Sequence, residues 1–331
     1  MKALSYEKAH TLDQFALALQ DMPDPQVRDT DLLVAIHAVG INPGEVFIRG
    51  HQSALPGGRL ILGWEFAGVV VKAGPATVGF EVGDRVFGTG DMSRDGAWAE
   101  QLAVDYRVIA HAPKTLSFID SATLPIGALT AWECLFRDGD HLPPKVRKVL
   151  VIGGAGGVGS MAIQLLKAMT NAQVIATASR PESKQWCQQM GADMVLDHSH
   201  ELRPQLDQAD MAHVDFILST HATQKNLAAL AQLVRPYGHI ASVDALGMLD
   251  ITPLFARSIT FHYEMVFTRI ANRYDIEGAA DILRTAASLA DRKKLQPIAN
   301  RTLHGLSVDT MRQAHELVDC GSTIGKVVIE Y

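Results

Sequence analysis

The sequence predicts an α/β protein in two parts, a β-rich first part and a doubly wound parallel sheet behind it. Three observations carry that expectation. Residues 1–120 hold short apolar runs broken by glycine and proline clusters. From about 121, strands alternate with helical stretches. A glycine-rich turn then joins one buried strand directly to one amphipathic helix. A length of 331 residues suits two domains of ordinary size.

In the β-rich part, residues 32–39, 66–71 and 84–87 are apolar runs of strand length. Pro56-Gly57-Gly58, Gly74-Pro75 and Gly88-Thr89-Gly90 bound them as turns, and Gly44-Glu45 and Gly83-Asp84 also read as turn chemistry. Residues 149–152 form a β-branched run, after which Met161, Ile163, Leu165, Leu166 and Met169 recur at helical spacing. A second strand is expected at 174–177 and a second helix at 182–190, closed by Gly191. Further strands fall at 194–196, 215–218 and 239–243, with helical text at 223–234. Beyond about 270 come helices at 276–289 and 310–318 and a last strand at 326–330. The β-rich start needs more strands than it contains, so the last strand is expected to return to it.

Composition excludes several classes. Apolar residues make up 47% and charged residues 20%, the balance of a globular chain with ample core. Thirty Lys and Arg against 36 Asp and Glu give a net charge of -6, which argues against binding nucleic acid or an anionic membrane. Cys134, Cys187 and Cys320 form no CxxC pair and no disulfide framework, so they are read as buried thiols in a reducing cytoplasm. Lys2, Glu7, Lys8, Asp13 and Asp21 interrupt any apolar leader, and no window approaches the ~20 apolar residues of a membrane span. No G-x-S-x-G elbow and no G-x-x-x-x-G-K-[ST] loop supports a hydrolase.

The chemistry concentrates in Gly154-Ala155-Gly156-Gly157-Val158-Gly159, which fits G-x-G-x-x-G between a strand and a helix. Glycines let the main chain approach a pyrophosphate, whose charge meets the free amides and positive end of the helix. Gly154, Gly156, Gly157, Val158 and Gly159 are therefore cofactor-binding candidates. The second strand runs into Ala178-Ser179-Arg180-Pro181-Glu182-Ser183-Lys184, with no carboxylate at its terminal position to hold a ribose diol. Ser179, Arg180 and Lys184 can pair with a 2′-phosphate instead, which selects NADPH over NADH.

With these features placed, the chain resembles the medium-chain dehydrogenase/reductase superfamily over essentially its whole length. The residues that carry the likeness are Asn42-Pro43, Gly63-Trp64-Glu65-Phe66-Ala67-Gly68, Gly83-Asp84-Arg85-Val86, Leu124-Pro125, Thr130-Ala131-Trp132, the glycine cluster and Gly325-Lys326-Val327-Val328. Within it the chain looks like the zinc-independent quinone oxidoreductase branch, closest to the group called zinc-type alcohol dehydrogenase-like. The resemblance implies a GroES-like catalytic domain from 1–120 and 271–331, a Rossmann domain over 121–270, and an active site in the cleft between them. It also implies that Thr130 lies beside the nicotinamide and that Asn42 faces nicotinamide and substrate. His198 stands where quinone oxidoreductases carry a tyrosine against the adenosine phosphate.

The same resemblance bears on metal. Zinc-dependent members place a Cys ligand at the position of Asn42 and a His ligand at that of Trp64. Glu65 alone does not make a site that needs three protein ligands. The stretch 88–100 lacks the cysteines of a structural zinc, and the 13 histidines, His37 and His51 among them, include no HExxH. No metal is expected. Phe47 replaces the tyrosine of the branch's Asn-Pro-x-Asp-x-Tyr pattern, so that proton donor is missing.

Without zinc or that tyrosine, hydride addition to a conjugated acceptor is the easier reaction, because an enone or quinone spreads the developing charge. The expected activity is NADPH-dependent reduction of a small-molecule quinone or α,β-unsaturated carbonyl. Asn42 would be the polar group near the substrate oxygen and Trp64 an apolar wall. A zinc-dependent alcohol dehydrogenase and a noncatalytic NADPH-binding sensor or interaction protein stay open beside it. The resemblance also suggests a homodimer through the sheet edge at 259–263.

Overall fold

Two short antiparallel strands, β1 (Lys2–Ser5) and β2 (Ala18–Asp21), begin the fold seen in a computed structural model that describes residues 1–137, 139–244 and 247–331. β3 (Asp31–Ile41) follows, an eleven-residue strand rich in Val, Ile and Leu and buried along most of its length. One edge of β3 pairs antiparallel with β4 (Glu65–Ala73), which itself pairs with β5 (Arg85–Thr89). The start of β3 also pairs with β6 (Gln101–Asp105), and β7 (Ile109–His111) pairs with β5. Between β3 and β4 lies a helix, α1 (Pro43–His51), where Gly44-Glu45 had been expected to turn. Pro43 is tolerated there because a first helical residue needs no amide bond. Gly83 does turn, at φ +99°. The short α2 (Phe118–Ser121), capped by the Ser117 hydroxyl on the Asp120 amide, ends this stretch.

α3 (Pro125–Leu135) is apolar nearly all round and almost wholly buried. Strands and helices then alternate: β8 (Lys148–Ile152), α4 (Gly157–Met169), β9 (Gln173–Thr177), α5 (Pro181–Gln189) and β10 (Met194–Leu196). The second half holds α6 (Leu202–Gln208), β11 (Val214–Ser219), α7 (Thr223–Leu233), β12 (Val234–Ser242), α8 (Thr252–Phe255) and β13 (Thr260–Tyr263). The six strands run parallel in the order β10-β9-β8-β11-β12-β13, the doubly wound arrangement. Leu150, Ile175, Ile217, Leu230 and Ile240 fill one layer between sheet and helices, each at most 3% exposed. Truncating any of them to alanine costs ~2–5 kcal/mol. β13 is an edge strand that pairs with β12 and, among the described residues, with no other strand.

The chain closes with α9 (Thr268–Ala271), α10 (Glu277–Asp291), β14 (Ala299–His304), α11 (Val308–Asp319) and β15 (Lys326–Glu330). β15 returns to the N-terminal strands as expected, antiparallel to the end of β3, and β14 lies parallel beside it. Two compact units result: Met1–Ile126, Phe267–Lys293 and Pro297–Tyr331 form the first, and Gly127–Val266 with Lys294–Gln296 the second. Met311, Ala314 and His315 turn the stripe of α11 into core. Cys134 and Cys187 are buried thiols, but Cys320 is exposed, because it caps the C-terminal end of α11.

Candidate functional site

β8 passes into α4 within four residues. Gly153, at φ +74°, starts the turn and donates its amide to the Thr177 hydroxyl at 3.0 Å, and the Gly154 amide reaches the Thr177 carbonyl at 3.1 Å. The first helical bond runs from Ser160 N–H to Gly156 C=O, so the amides of Gly157, Val158 and Gly159 precede it at the positive end of α4. A Cβ on Gly159 would lie 2.3 Å from the Gly153 oxygen, so packing within the turn demands glycine. A Cβ on Gly156 would meet nothing nearer than 3.5 Å. Packing within the chain therefore leaves room at Gly156, and its bareness suits close approach by a ligand. Bare amides, a helix dipole and an unobstructed glycine fit a pyrophosphate.

The ends of β9 and β10 carry the groups read as phosphate partners. Ser179 is half-buried and Arg180 exposed as the N-cap of α5. Lys184 differs from expectation: its ammonium lies 2.7 Å from Asp197 Oδ2, past the end of β10. That bond, with those from Ser199, holds the Asp197 carboxyl well below its ordinary range. A carboxylate that sequence spacing did not flag therefore shares the charge of Lys184. His198 Nδ1 lies 3.3 Å from the Thr177 hydroxyl, which already receives the Gly153 amide. Burial pushes the His198 pKa down, so the ring is neutral and can accept the Thr177 proton at Nδ1. Thr177, which the sequence reading passed over, thus ties His198 to the glycine turn. Trp186 Nε1 donates to Ser160 Oγ at 2.8 Å and fastens α5 to α4. Thr130 is buried in α3. A cavity lined by His141, Arg147, Met169 and Asn171 lies at the N-terminal ends of β8 and β9, the end of the strands opposite the glycine turn.

Asn42 and Trp64 belong to the first unit, and a buried polar network joins them. Asn42 caps α1, where Glu45 Oε2 accepts its amide at 2.9 Å and Glu45 Oε1 accepts the Trp64 amide at 2.8 Å. Lys326 Nζ, on β15, lies 2.6 Å from both Asn42 Oδ1 and Glu65 Oε2. Glu65 Oε2 also accepts from Asn42 Nδ2 at 3.0 Å, and Oε1 accepts the Ile126 amide at 2.8 Å. Glu45, Glu65 and Lys326 are all at most 4% exposed. Burial raises the Glu45 pKa from 4.5 to about 7 against the opposing amide bonds, and the Glu65 charge adds to the rise.

The Asn42 carboxamide is therefore engaged at both ends, its second Nδ2 hydrogen facing the Gly40 carbonyl at 3.4 Å. It does not present the donor expected for a substrate oxygen, because charged neighbours compete for it. Trp64 is 4% exposed, packed edge-on against Phe267, with no partner among the described residues for its indole nitrogen. Neither Glu45 nor Lys326 was singled out from the sequence. A lysine directly before the apolar run 327–329 was the available signal.

Comparison with known proteins follows this division. Residues 28–114 match the alcohol dehydrogenase GroES-like domain, and residues 157–285 match the zinc-binding dehydrogenase domain. The zinc-type alcohol dehydrogenase-like protein of Staphylococcus aureus strain MSSA476 is 33% identical over 338 residues, 99% of either chain. The chain belongs to the medium-chain dehydrogenase/reductase superfamily. The crystal structure of a Rhizobium etli CFN 42 protein, provisionally ascribed to zinc-dependent alcohol dehydrogenases, matches with TM-score 0.96 and 34% identity, over 100% of this chain and 98% of that one. The 2-methylene-furan-3-one reductase of Solanum lycopersicum is 34% identical over 212 residues, covering 61% of this chain and 53% of that one. The protein is thus an oxidoreductase with a GroES-like and a Rossmann part, in a superfamily whose members bind NAD(P)H.

The zinc that the superfamily's names carry does not fit the residues present. A carboxamide and an indole stand at the two ligand positions, and neither is a zinc ligand of choice. Both oxygens of Glu65 are committed, to Lys326, Asn42 and the Ile126 amide. Among the described residues no three His, Cys, Asp or Glu side chains group as a metal site.

Proposed function

We propose that this chain reduces a quinone or an α,β-unsaturated carbonyl with NADPH and without a metal. The observation that carries the reading is the Lys326–Glu65–Asn42 network, which occupies with an ammonium the donor set a zinc would need. NADPH, when bound, supplies the hydride. The amides at the start of α4 and bare Gly156 would seat its pyrophosphate. Ser179 and the Arg180 guanidinium would meet the 2′-phosphate, with Lys184 contributing the charge that Asp197 leaves it. His198 and Thr130 follow the superfamily pattern for adenosine and nicotinamide neighbours.

Hydride addition to an isolated ketone concentrates charge on one oxygen, which these residues have little to stabilise. A conjugated acceptor delocalises that charge, and water can complete protonation. Trp64 would form an apolar wall, and Asn42, held by Lys326 and Glu65, acts as a positioning residue for the start of α1. The tomato relative's name describes a methylene conjugated to a ketone, an acceptor of this class. The position of β13 at the end of the strand order supports a homodimer through sheet continuation. Three free cysteines suit the cytoplasm, and no helix among the described residues is long and apolar enough to cross a membrane.

NADPH oxidation measured against quinones, enones and simple ketones tests the proposal. Turnover of the conjugated acceptors, indifferent to chelator, is expected. Turnover confined to simple ketones and stimulated by added zinc overturns it.

A further inference from the structure

The cations at the start of α5 share their ground with a carboxylate that arrives from a different strand. β10 runs parallel to β9, with Leu196 opposite Thr177, and the Ala178 amide donates to the Leu196 carbonyl at 3.0 Å. Asp197 therefore leaves β10 alongside the stretch 178–180 that carries Ser179 and Arg180. The Lys184 amide donates to the Arg180 carbonyl at 2.9 Å, which puts both cations on the first turn of α5. The charges of Arg180, Lys184, Asp197 and His221 all reach the His198 ring, so the five groups form one cluster.

Asp197 is built into place. Its Oδ1 accepts both the Ser199 amide, at 2.9 Å, and the Ser199 hydroxyl. Gln205 grips its main chain from both sides, accepting the Asp197 amide at 2.7 Å and donating to the Asp197 carbonyl at 2.8 Å. With Oδ1 so committed, Oδ2 faces the Lys184 ammonium at 2.7 Å. The carboxylate side chain is 22% exposed and the lysine side chain 37%, so the pair adds little to stability and stands open to a ligand.

A ribose 2′-hydroxyl is neutral and nearly indifferent to such a pair. A 2′-phosphate is not, because the carboxylate repels it and engages the ammonium that would otherwise meet it. On the reading of Ser179 and Arg180 as the 2′-phosphate seat, we infer that Asp197 is a specificity-determining residue: it holds Lys184 back and keeps the preference for NADPH over NADH small.

Paired NADPH and NADH binding titrations of the full chain test this. Asp197→Asn keeps the side chain's size and an oxygen for Ser199, and removes the charge. It should tighten NADPH roughly three- to fivefold, the scale of a partly exposed charge pair, and leave NADH within about twofold. Added salt should shrink the gain, and adding Lys184→Gln should remove it. If Asp197→Asn does not fold, Asp197→Ser repeats the measurement. An equal gain for NADH, a gain that survives Lys184→Gln, or NADPH binding no tighter than the parent's overturns the inference. With Arg180→Ala weakening NADPH alone, such a result leaves the 2′-phosphate seat standing; with Arg180→Ala changing neither nucleotide, seat and inference fall together.

Discussion

Replacing Lys326 by methionine tests the buried network directly. The side chain keeps its length and apolar stem but loses the ammonium that lies 2.6 Å from Glu65 Oε2 and from Asn42 Oδ1. Glu65 then stays buried, at 0% exposure, with only the Asn42 carboxamide and the Ile126 amide to hold its charge. Removing one partner of a buried pair costs roughly 3–5 kcal/mol. The two remaining hydrogen bonds to the carboxylate place the expected loss toward the low end, ~3 kcal/mol. Urea unfolding followed by fluorescence reports on this unit through Trp64 and Trp98. Lys326→Met with Glu65→Gln should cost ~1–3 kcal/mol less than the two singles summed, because the double variant leaves no lone charge. A loss below ~1 kcal/mol for Lys326→Met, or strict additivity in the cycle, refutes a charge-paired network.

The glycine turn gives a contrasting pair of variants. Gly159→Ala forces a Cβ to within 2.3 Å of a main-chain oxygen and should destabilise the second unit by ~2 kcal/mol or more, read by denaturant unfolding. Gly156→Ala should leave unfolding within ~0.5 kcal/mol of the parent yet weaken NADPH about tenfold or more in a binding titration, because its room is on the ligand side. Arg180→Ala should weaken NADPH by ~1.5–3 kcal/mol and leave NADH unchanged, and Lys184→Gln should do less, its ammonium being shared with Asp197. The Glu45 pKa is raised in the fold, so its stabilising contribution is fully present below about pH 4.5 and is lost as pH rises through about 7. That interval corresponds to ~3 kcal/mol. Glu45→Gln should flatten the fall in stability over this window in a series of unfolding curves, and an unchanged slope would show that Glu45 is ionised throughout.

The parallel sheet was legible because each of its buried strands is a short β-branched run beside a helix with an apolar stripe. All the strands expected at 149–152, 174–177, 194–196, 215–218 and 239–243 appear, as does the return of β15. β1, β2, β6, β7 and β14 went unseen because short strands take their identity from partners distant in sequence. α3 lacks polar positions to mark a period, since it is buried on nearly every side. The glycine turn was legible as a local pattern, whereas Asp197 beside Lys184 and Lys326 beside Glu65 join residues 13 and 261 positions apart. No spacing rule reaches that far.

α1 shows most clearly what a periodicity argument misses. Its buried residues are Glu45, Val46 and Arg49, so two of the three side chains it turns inward are charged. Glu45 and Arg49 are four residues apart, a spacing at which opposite charges pair on an isolated helix. Here they do not pair. Glu45 takes the amides of Asn42 and Trp64, and Arg49 takes the imidazole of His315. An acid in the first turn and a base in the last still oppose the helix dipole, so the arrangement is electrostatically consistent along the axis. Each charge is nevertheless committed across the fold rather than along the helix. A nine-residue helix is too short to persist through its own propensity. It is held at its start by the network around Lys326 and at its end by the cluster around Arg49. The orientation of Asn42 and Trp64 therefore depends on buried polar bonds whose partners lie on β15 and α11, near the far end of the chain. Substitutions at Lys326 or His315 should thus disturb Asn42 and Trp64 as directly as substitutions within α1 itself.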